Sequence, residues 1–333
     1  MKASIKILKL ITIIFLIFTN QAFAREKVLL NVSFDPTREL YKEINKAFEN
    51  YWYTTYGQKV VVKQSHGGSG KQARAVMEGL NADIVSLALS YDIDAIAKRD
   101  LIDSSWKLRF PENSSPYGST IVFIVKRGNP HNIKDWDDLA NKNIKVITPN
   151  PKTSGGARWN YVAALAYATS KYKNEERVNE FLKKIFKKVP ILDVSARSST
   201  ITFVKRNVGD VLIAWENEAH LIVREFGANK YEIVIPSISV KADLPVTYVD
   251  KVVTKKKTKS IAEGYLNFLY EEIAQEIMAK KYYRVINQKL MDKYKDNFPY
   301  IKLVDINQLG GWEKIHAKHF DENTIFDQII LSK

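Results

Sequence analysis

The chain has 333 residues, 45% hydrophobic and 26% charged, which supplies a core of ordinary size and excludes a disordered polypeptide. It contains no cysteine, so a disulfide framework, a thiol nucleophile and thiolate metal sites are excluded. The formal charge of +14 suits nucleic acid, an anionic surface or an anionic ligand. The lysines are scattered, however, and the densest run, Lys255-Lys256-Lys257-Thr258-Lys259, lies before a helical pattern with no aromatic interleaving, so it reads as solvated surface and no nucleic-acid partner is expected.

At the N-terminus, Lys2, Lys6 and Lys9 precede the apolar run Ile11-Thr12-Ile13-Ile14-Phe15-Leu16-Ile17-Phe18, and Ala22-Phe23-Ala24 forms an A-x-A site. This is the pattern of a secretory signal over residues 1–24, with cleavage after Ala24. The apolar run is shorter than the ~20 residues a membrane anchor needs. Losing those three lysines takes the charge from +14 to +11. Export also argues against a nucleic-acid partner.

Lys27-Val28-Leu29-Leu30-Asn31-Val32-Ser33-Phe34 then reads as a strand, with Asp35 as cap, Pro36 at the first helical position, and a helical stripe of Leu40, Ile44 and Phe48. Val60-Val61-Val62 is a second strand. It feeds Gln64-Ser65-His66-Gly67-Gly68-Ser69-Gly70-Lys71-Gln72-Ala73, where Ser69 sits as an N-cap before a helix carrying Val76, Met77 and Leu80. A helix start offers unpaired N–H donors and partial positive charge, so this junction is a candidate anion site. Asp83–Leu89 reads as a buried strand and 91–98 as a helix. The loop Pro111–Gly118, leading into Thr120–Val125, is the crossing from one lobe to the next.

Ile144–Ile147 is a strand leading through Thr148–Thr153 to Ser154-Gly155-Gly156-Ala157-Arg158 and a helix with Val162, Leu165 and Ala166. Val189–Val194 runs likewise into Ser195-Ala196-Arg197-Ser198-Ser199-Thr200. The strand Asp210–Trp215 ends in Glu216-Asn217-Glu218, which puts Trp215 at the end of a core strand, where ligands sit in open α/β sheets. Segments 231–236 and 246–250 read as the return crossing. Ile261, Tyr265, Leu269, Ile273 and Ile277 mark one long amphipathic helix, and the tail through Trp312 and Phe326 packs across the lobes.

Catalytic motifs are not met. A P-loop needs Gly where Ser65 stands and Ser or Thr where Gln72 stands. Lys71 occupies the last position of a would-be G-x-S-x-G elbow around Ser69. No nucleophile–base–acid set is visible, His316 and His319 form only a loose pair on a helix face read as solvated, and no metal or cofactor is expected. Taken singly, Asp35, Ser69 and Ser154 are ordinary caps and Trp215 an ordinary core residue. What points to an anion site is the coincidence of four strand–turn–helix junctions that can aim N–H groups at one point with the donor-only indole of Trp215.

The stretches 150–158 and 64–73, together with 31–41 and 210–219, resemble in order the signatures of the periplasmic sulfate-binding proteins of ABC importers, and the likeness runs through Gly310-Gly311-Trp312. The resemblance implies a type II periplasmic-binding-protein fold of class α/β, with two lobes, each a mixed sheet flanked by helices, and the ligand in the cleft. Lobe I would comprise 25–112 and 241–333, and lobe II 113–240. It further implies that backbone N–H groups of Asp35, Gly155, Gly156 and Ala196, hydroxyls of Ser69 and Ser154, and the Trp215 indole bind one dehydrated sulfate. His66, Arg158 and Arg197 would brace the loops from behind. The chain departs from the family's Ser-Gly-Ala-Arg-Gly at Val194-Ser195-Ala196-Arg197-Ser198, where the flanking glycines are absent. The implied protein is a monomeric, non-enzymatic periplasmic receptor delivering sulfate, or thiosulfate, to a membrane permease. Alternatives are a receptor for molybdate, tungstate or phosphate, or a secreted sulfate- or phosphate-ester enzyme.

Overall fold

The computed structural model describes residues 26–332, so the secretory signal expected over residues 1–24 and its cleavage site lie outside the described residues. The chain opens with β1 (Lys27–Phe34), whose Leu29 and Val32 are fully buried on opposite faces. A strand covered on both sides belongs in the middle of a parallel sheet. Here β1 lies between β2 (Val60–Gly67) and β3 (Ile84–Ser86), parallel to both, while β12 (Val246–Tyr248) closes the sheet antiparallel to β3. Between β1 and β2 runs α1 (Arg38–Tyr56), which buries Leu40, Tyr41, Ile44, Phe48 and Trp52 and stops at Gly57, a left-handed residue at φ 65°.

A second sheet has the order β7 (Leu192–Asp193), β6 (Val146–Pro149), β8 (Val211–Trp215), β5 (Ile121–Lys126) and β9 (Tyr231–Val234). Strands β7, β6 and β8 are parallel; β5 runs against β8, and β9 against β5. Together the two sheets and their flanking helices form the expected two-lobed α/β architecture. The first crossing is β4 (Tyr117–Ser119) into β5. The return runs from β10 (Ile238–Val240) into β11 (Ala242–Leu244), which pairs with β4, and β13 (Arg284–Val285) flanks β4 on its other side. Ser239 ties the two crossings together: its hydroxyl accepts from Thr120 Oγ1 at 2.8 Å and from the Ile121 N–H at 3.1 Å.

Four readings of the sequence are corrected. The return crossing is at 238–244, not 231–236 and 246–250, because β9 stays in the second sheet and β12 already belongs to the first. The single long helix after Ile261 is two helices, Lys259–Phe268 and Glu272–Lys280, and Ile273 is 58% exposed. Backbone bonds at Leu269, Tyr270 and Glu271 tighten to i→i+3, and Gln275 Nε2 takes the freed Leu269 carbonyl at 2.8 Å, so the stripe breaks where a side chain can cap it. Within the lysine run, Lys256 is paired with the fully buried Asp83. His319 is buried against Tyr161 and His316 stacks on Tyr91, so neither sits on a solvated face.

The tail does pack across both sheets' helices. β14 (Lys302–Val304) pairs with β10. Trp312 meets Trp159 edge-on at 4.7 Å, and Phe326 packs against Tyr161 and Phe186.

Candidate functional site

The C-terminal ends of the parallel strands all deliver the chain into helix starts facing the gap between the lobes. After β1 comes a tight turn, Asp35–Thr37. After β2, Gly68 opens α2 (Ser69–Met77). From the other lobe, β6 leads to α3 (Gly155–Lys171), β7 to α4 (Ala196–Val204) and β8 to α5 (Glu216–Phe226).

The two lobes touch at these starts. A Cβ placed on Gly155 would stand 2.8 Å from the Ser69 Cβ and 3.1 Å from that of Ala88, and one on Gly68 would stand 2.8 Å from the Thr153 carbonyl. Only hydrogen fits at both positions, which brings the α2 and α3 starts within backbone reach of each other. Trp159 crosses the same boundary, its indole donating to the Ala88 carbonyl at 2.8 Å. Trp215, 1% exposed, packs its ring 5.6 Å from that of Phe34. Its indole donates to the Gly156 carbonyl at 3.2 Å. Ala196 lines a small cavity with Trp215, Pro149, Asn160 and Glu218.

The capping roles expected from the sequence are divided. Ser154 is the N-cap of α3, accepting from the Ala157 N–H at 3.3 Å, and Ser195 caps α4 through Ser198. Ser69 is not a cap. Gly68 holds that position, and the buried Ser69 hydroxyl instead accepts from the Ala88 N–H at 3.0 Å and donates to Asp92 at 2.5 Å. Asp35 makes no capping bond either; its carboxylate lies 4.0 Å from Arg38.

The residues expected to brace the loops lie around this cluster. His66 faces Ser33 across the β1–β2 register, with its Nδ1 2.7 Å from the Ser33 hydroxyl. Burial, reinforced by the nearby Arg38, lowers its pKa to about 4, so the ring is neutral at ordinary pH. Arg158 donates to the Pro151 carbonyl at 3.0 Å and reaches Asp92 at 3.4 Å. Arg197 bonds Glu39 at 3.1 Å, joining α4 to α1.

Two carboxyls were missed in the sequence. Asp92 is almost fully buried behind Ser69, and burial raises its pKa against the opposing pull of Arg158 and Ser69. Glu218, half-buried beside Trp215, is raised to about 7 by burial and by the neighbouring Glu39. Asp92 stands on the helix expected at 91–98, whereas the helix Glu216–Phe226 that carries Glu218 is not read from the sequence, and no local spacing says where either side chain turns. Among the described residues, no group of three or more His, Cys, Asp or Glu gathers as a metal site.

Residues 30–284 match the family described as bacterial extracellular solute-binding protein. The chain is 53% identical over 317 residues to the sulfate-binding protein of Escherichia coli (strain K12), covering 95% of this chain and 96% of that one. It is 44% identical to the thiosulfate-binding protein of Pseudomonas aeruginosa over 303 residues, or 90% and 91% of the two chains. Among solved structures it is similar to the sulfate-binding protein SubI from Mycobacterium tuberculosis H37Rv, with a TM-score of 0.80 at 31% identity, covering 89% of this chain and 100% of that one.

Proposed function

The chain belongs to the bacterial extracellular solute-binding protein family, and from that premise we infer that it captures sulfate, with thiosulfate as the second candidate, and delivers it to the membrane permease of an ABC importer. It acts as an exported periplasmic monomer and catalyses no reaction. The lobes divide near 112–113 and 240–241, beside the crossing strands.

The observation that carries this reading is the meeting of α2 and α3, one from each lobe, at glycines that leave no room for a side chain. Two helix starts opposed in this way concentrate N–H donors and partial positive charge without a metal or a free cation. The Asp35, Gly155, Gly156 and Ala196 N–H groups, the Ser69 and Ser154 hydroxyls and the Trp215 indole are the assigned donors. His66, Arg158 and Arg197 hold the loops. In this arrangement the Trp215 indole exchanges the Gly156 carbonyl for a sulfate oxygen.

Sulfate at neutral pH is an acceptor only, so a set of donors satisfies it. Hydrogen phosphate carries a proton that needs an acceptor, and leaving that proton unpaired costs roughly 1–3 kcal/mol. The thiosulfate reading is favoured over molybdate or tungstate by the 44% identical thiosulfate-binding relative. Calorimetric titration of dialysed protein tests the proposal. One-to-one binding of sulfate with no heat from phosphate or molybdate is expected, and absence of sulfate heat in anion-free protein would assign the cleft to another ligand.

A further inference from the structure

Ser69 poses a proton-counting problem. Its oxygen accepts the Ala88 N–H at 3.0 Å and its one proton goes to Asp92 Oδ2 at 2.5 Å. With that proton spent, what the hydroxyl has left to offer the cleft is a lone pair. A lone pair repels a sulfate oxygen and suits the proton of hydrogen phosphate, so an ionised Asp92 gives Ser69 the wrong polarity for the sulfate site inferred above.

We propose that Asp92 sets the choice of oxyanion by carrying a proton in the loaded protein, which turns Ser69 from an acceptor into a donor. This rests on the sulfate-site reading. The proton comes from solvent and binds Oδ2. The Asp92 O–H then donates to Ser69 Oγ, which keeps the Ala88 N–H as its other donor, and the Ser69 proton points at the anion. Each lone pair and proton of the relay then has a partner. The same proton removes a negative charge standing one hydroxyl away from a dianion in a dry cleft, where like charges repel most strongly.

The surroundings suit a neutral acid. Asp92 is 4% exposed and lies behind the first turn of α2, its Oδ1 facing Gly70. The charged group facing it is Arg158 from α3, at 3.4 Å, beyond the optimum for a charge-assisted bond. Arg158 is itself shared with the Pro151 carbonyl and lies over the Phe320 ring. Tyr91, the neighbouring residue, is engaged by His316, which also pairs with Asp321. Desolvation pushes the Asp92 pKa up, in the direction this role requires.

Asp92→Asn mimics the protonated acid: the amide Nδ2 donates to Ser69 and Oδ1 accepts from Arg158. It should keep sulfate affinity within about threefold of wild type, whereas Ser69→Ala, which deletes the donor, should lose about tenfold or more. Infrared difference spectra of sulfate-loaded against free protein give the direct readout. The loaded wild type should show the C=O stretch of a protonated carboxyl that is absent in Asp92→Asn, a subtraction that also removes any contribution from Glu218. If Asp92→Asn does not fold, the same band should shift in Ser69→Ala, where the Asp92 O–H has lost its acceptor. Sulfate bound one-to-one with no such band would overturn the proposal, leaving Asp92 ionised and Ser69 turned away from it. Wild type that binds no sulfate would instead overturn the site reading, and the proposal with it.

Discussion

Trp215 ends a strand whose every residue is buried, so its ring would be core in any protein, yet its indole N–H reaches the start of α3, where it donates to the Gly156 carbonyl. Replacing it by Phe keeps the contact with the Phe34 ring and removes only the N–H. A hydrogen bond to a charged partner is worth about 1.5–3 kcal/mol, so Trp215→Phe should weaken sulfate binding by about 10- to 100-fold in calorimetry; unchanged affinity would remove the indole from the donor set. Glu218, beside it, makes a prediction about stability. Its folded pKa is about 7 against an ordinary 4.5, raised by burial, so the fold prefers the neutral acid. That preference is fully present below the unfolded value and is lost as pH rises through the folded one. By about pH 8 the handicap approaches roughly 3 kcal/mol, because a tenfold change in proton affinity is worth about 1.4 kcal/mol. Glu218→Gln should therefore melt close to wild type near pH 4 and clearly above it at pH 8. A melting difference independent of pH would mean that Glu218 titrates as a solvated carboxyl.

At the scale of elements, the glycines at helix starts decide how closely the lobes approach. Gly155→Ala puts a methyl 2.8 Å from the Ser69 Cβ, a contact that no rotamer relieves because both atoms are fixed to backbone. The collision lies between lobes and not inside either, so each lobe should fold normally while closure fails. Sulfate affinity should fall at least tenfold, and small-angle scattering should show a loaded variant no more compact than the free one; full compaction would mean that the lobes close elsewhere. These helix starts were legible because strand, polar turn and apolar stripe are local patterns, and four of them recur in the chain. What local pattern does not carry is where side chains go once elements pack. Ser69 reads as a cap from its neighbours, but Gly68 takes the cap position and Asp92, more than twenty residues on, takes the Ser69 proton. The stripe from Ile261 reads as one helix because its period continues, whereas the break is made by Gln275 reaching back to Leu269. Lys256 sits in a run that looks solvated, and only the distant Asp83 gives it a buried partner.

For the whole molecule, the relevant fact is that neither lobe holds the proposed donor set alone: Asp35 and Ser69 come from one, Ser154, Gly155, Gly156, Ala196 and Trp215 from the other. An anion bound by both is a noncovalent strap across the crossing strands, and it is absent from the unfolded chain. Ligand binding only the native state adds RT ln(1 + [L]/Kd), about 2.7 kcal/mol at a hundred times Kd. For a chain of this size that corresponds to a rise in melting temperature of about 5 °C. Phosphate at the same concentration should produce no shift, because its proton finds no acceptor in a set of donors. Gly155→Ala should abolish the sulfate shift, since its methyl holds the α2 and α3 starts apart while leaving the packing within each lobe untouched. Thermal melts of dialysed protein with sulfate, phosphate and no anion measure all three expectations. Equal shifts with both anions would show that the stabilisation comes from general screening of the basic surface, and would leave the cleft without a role in it.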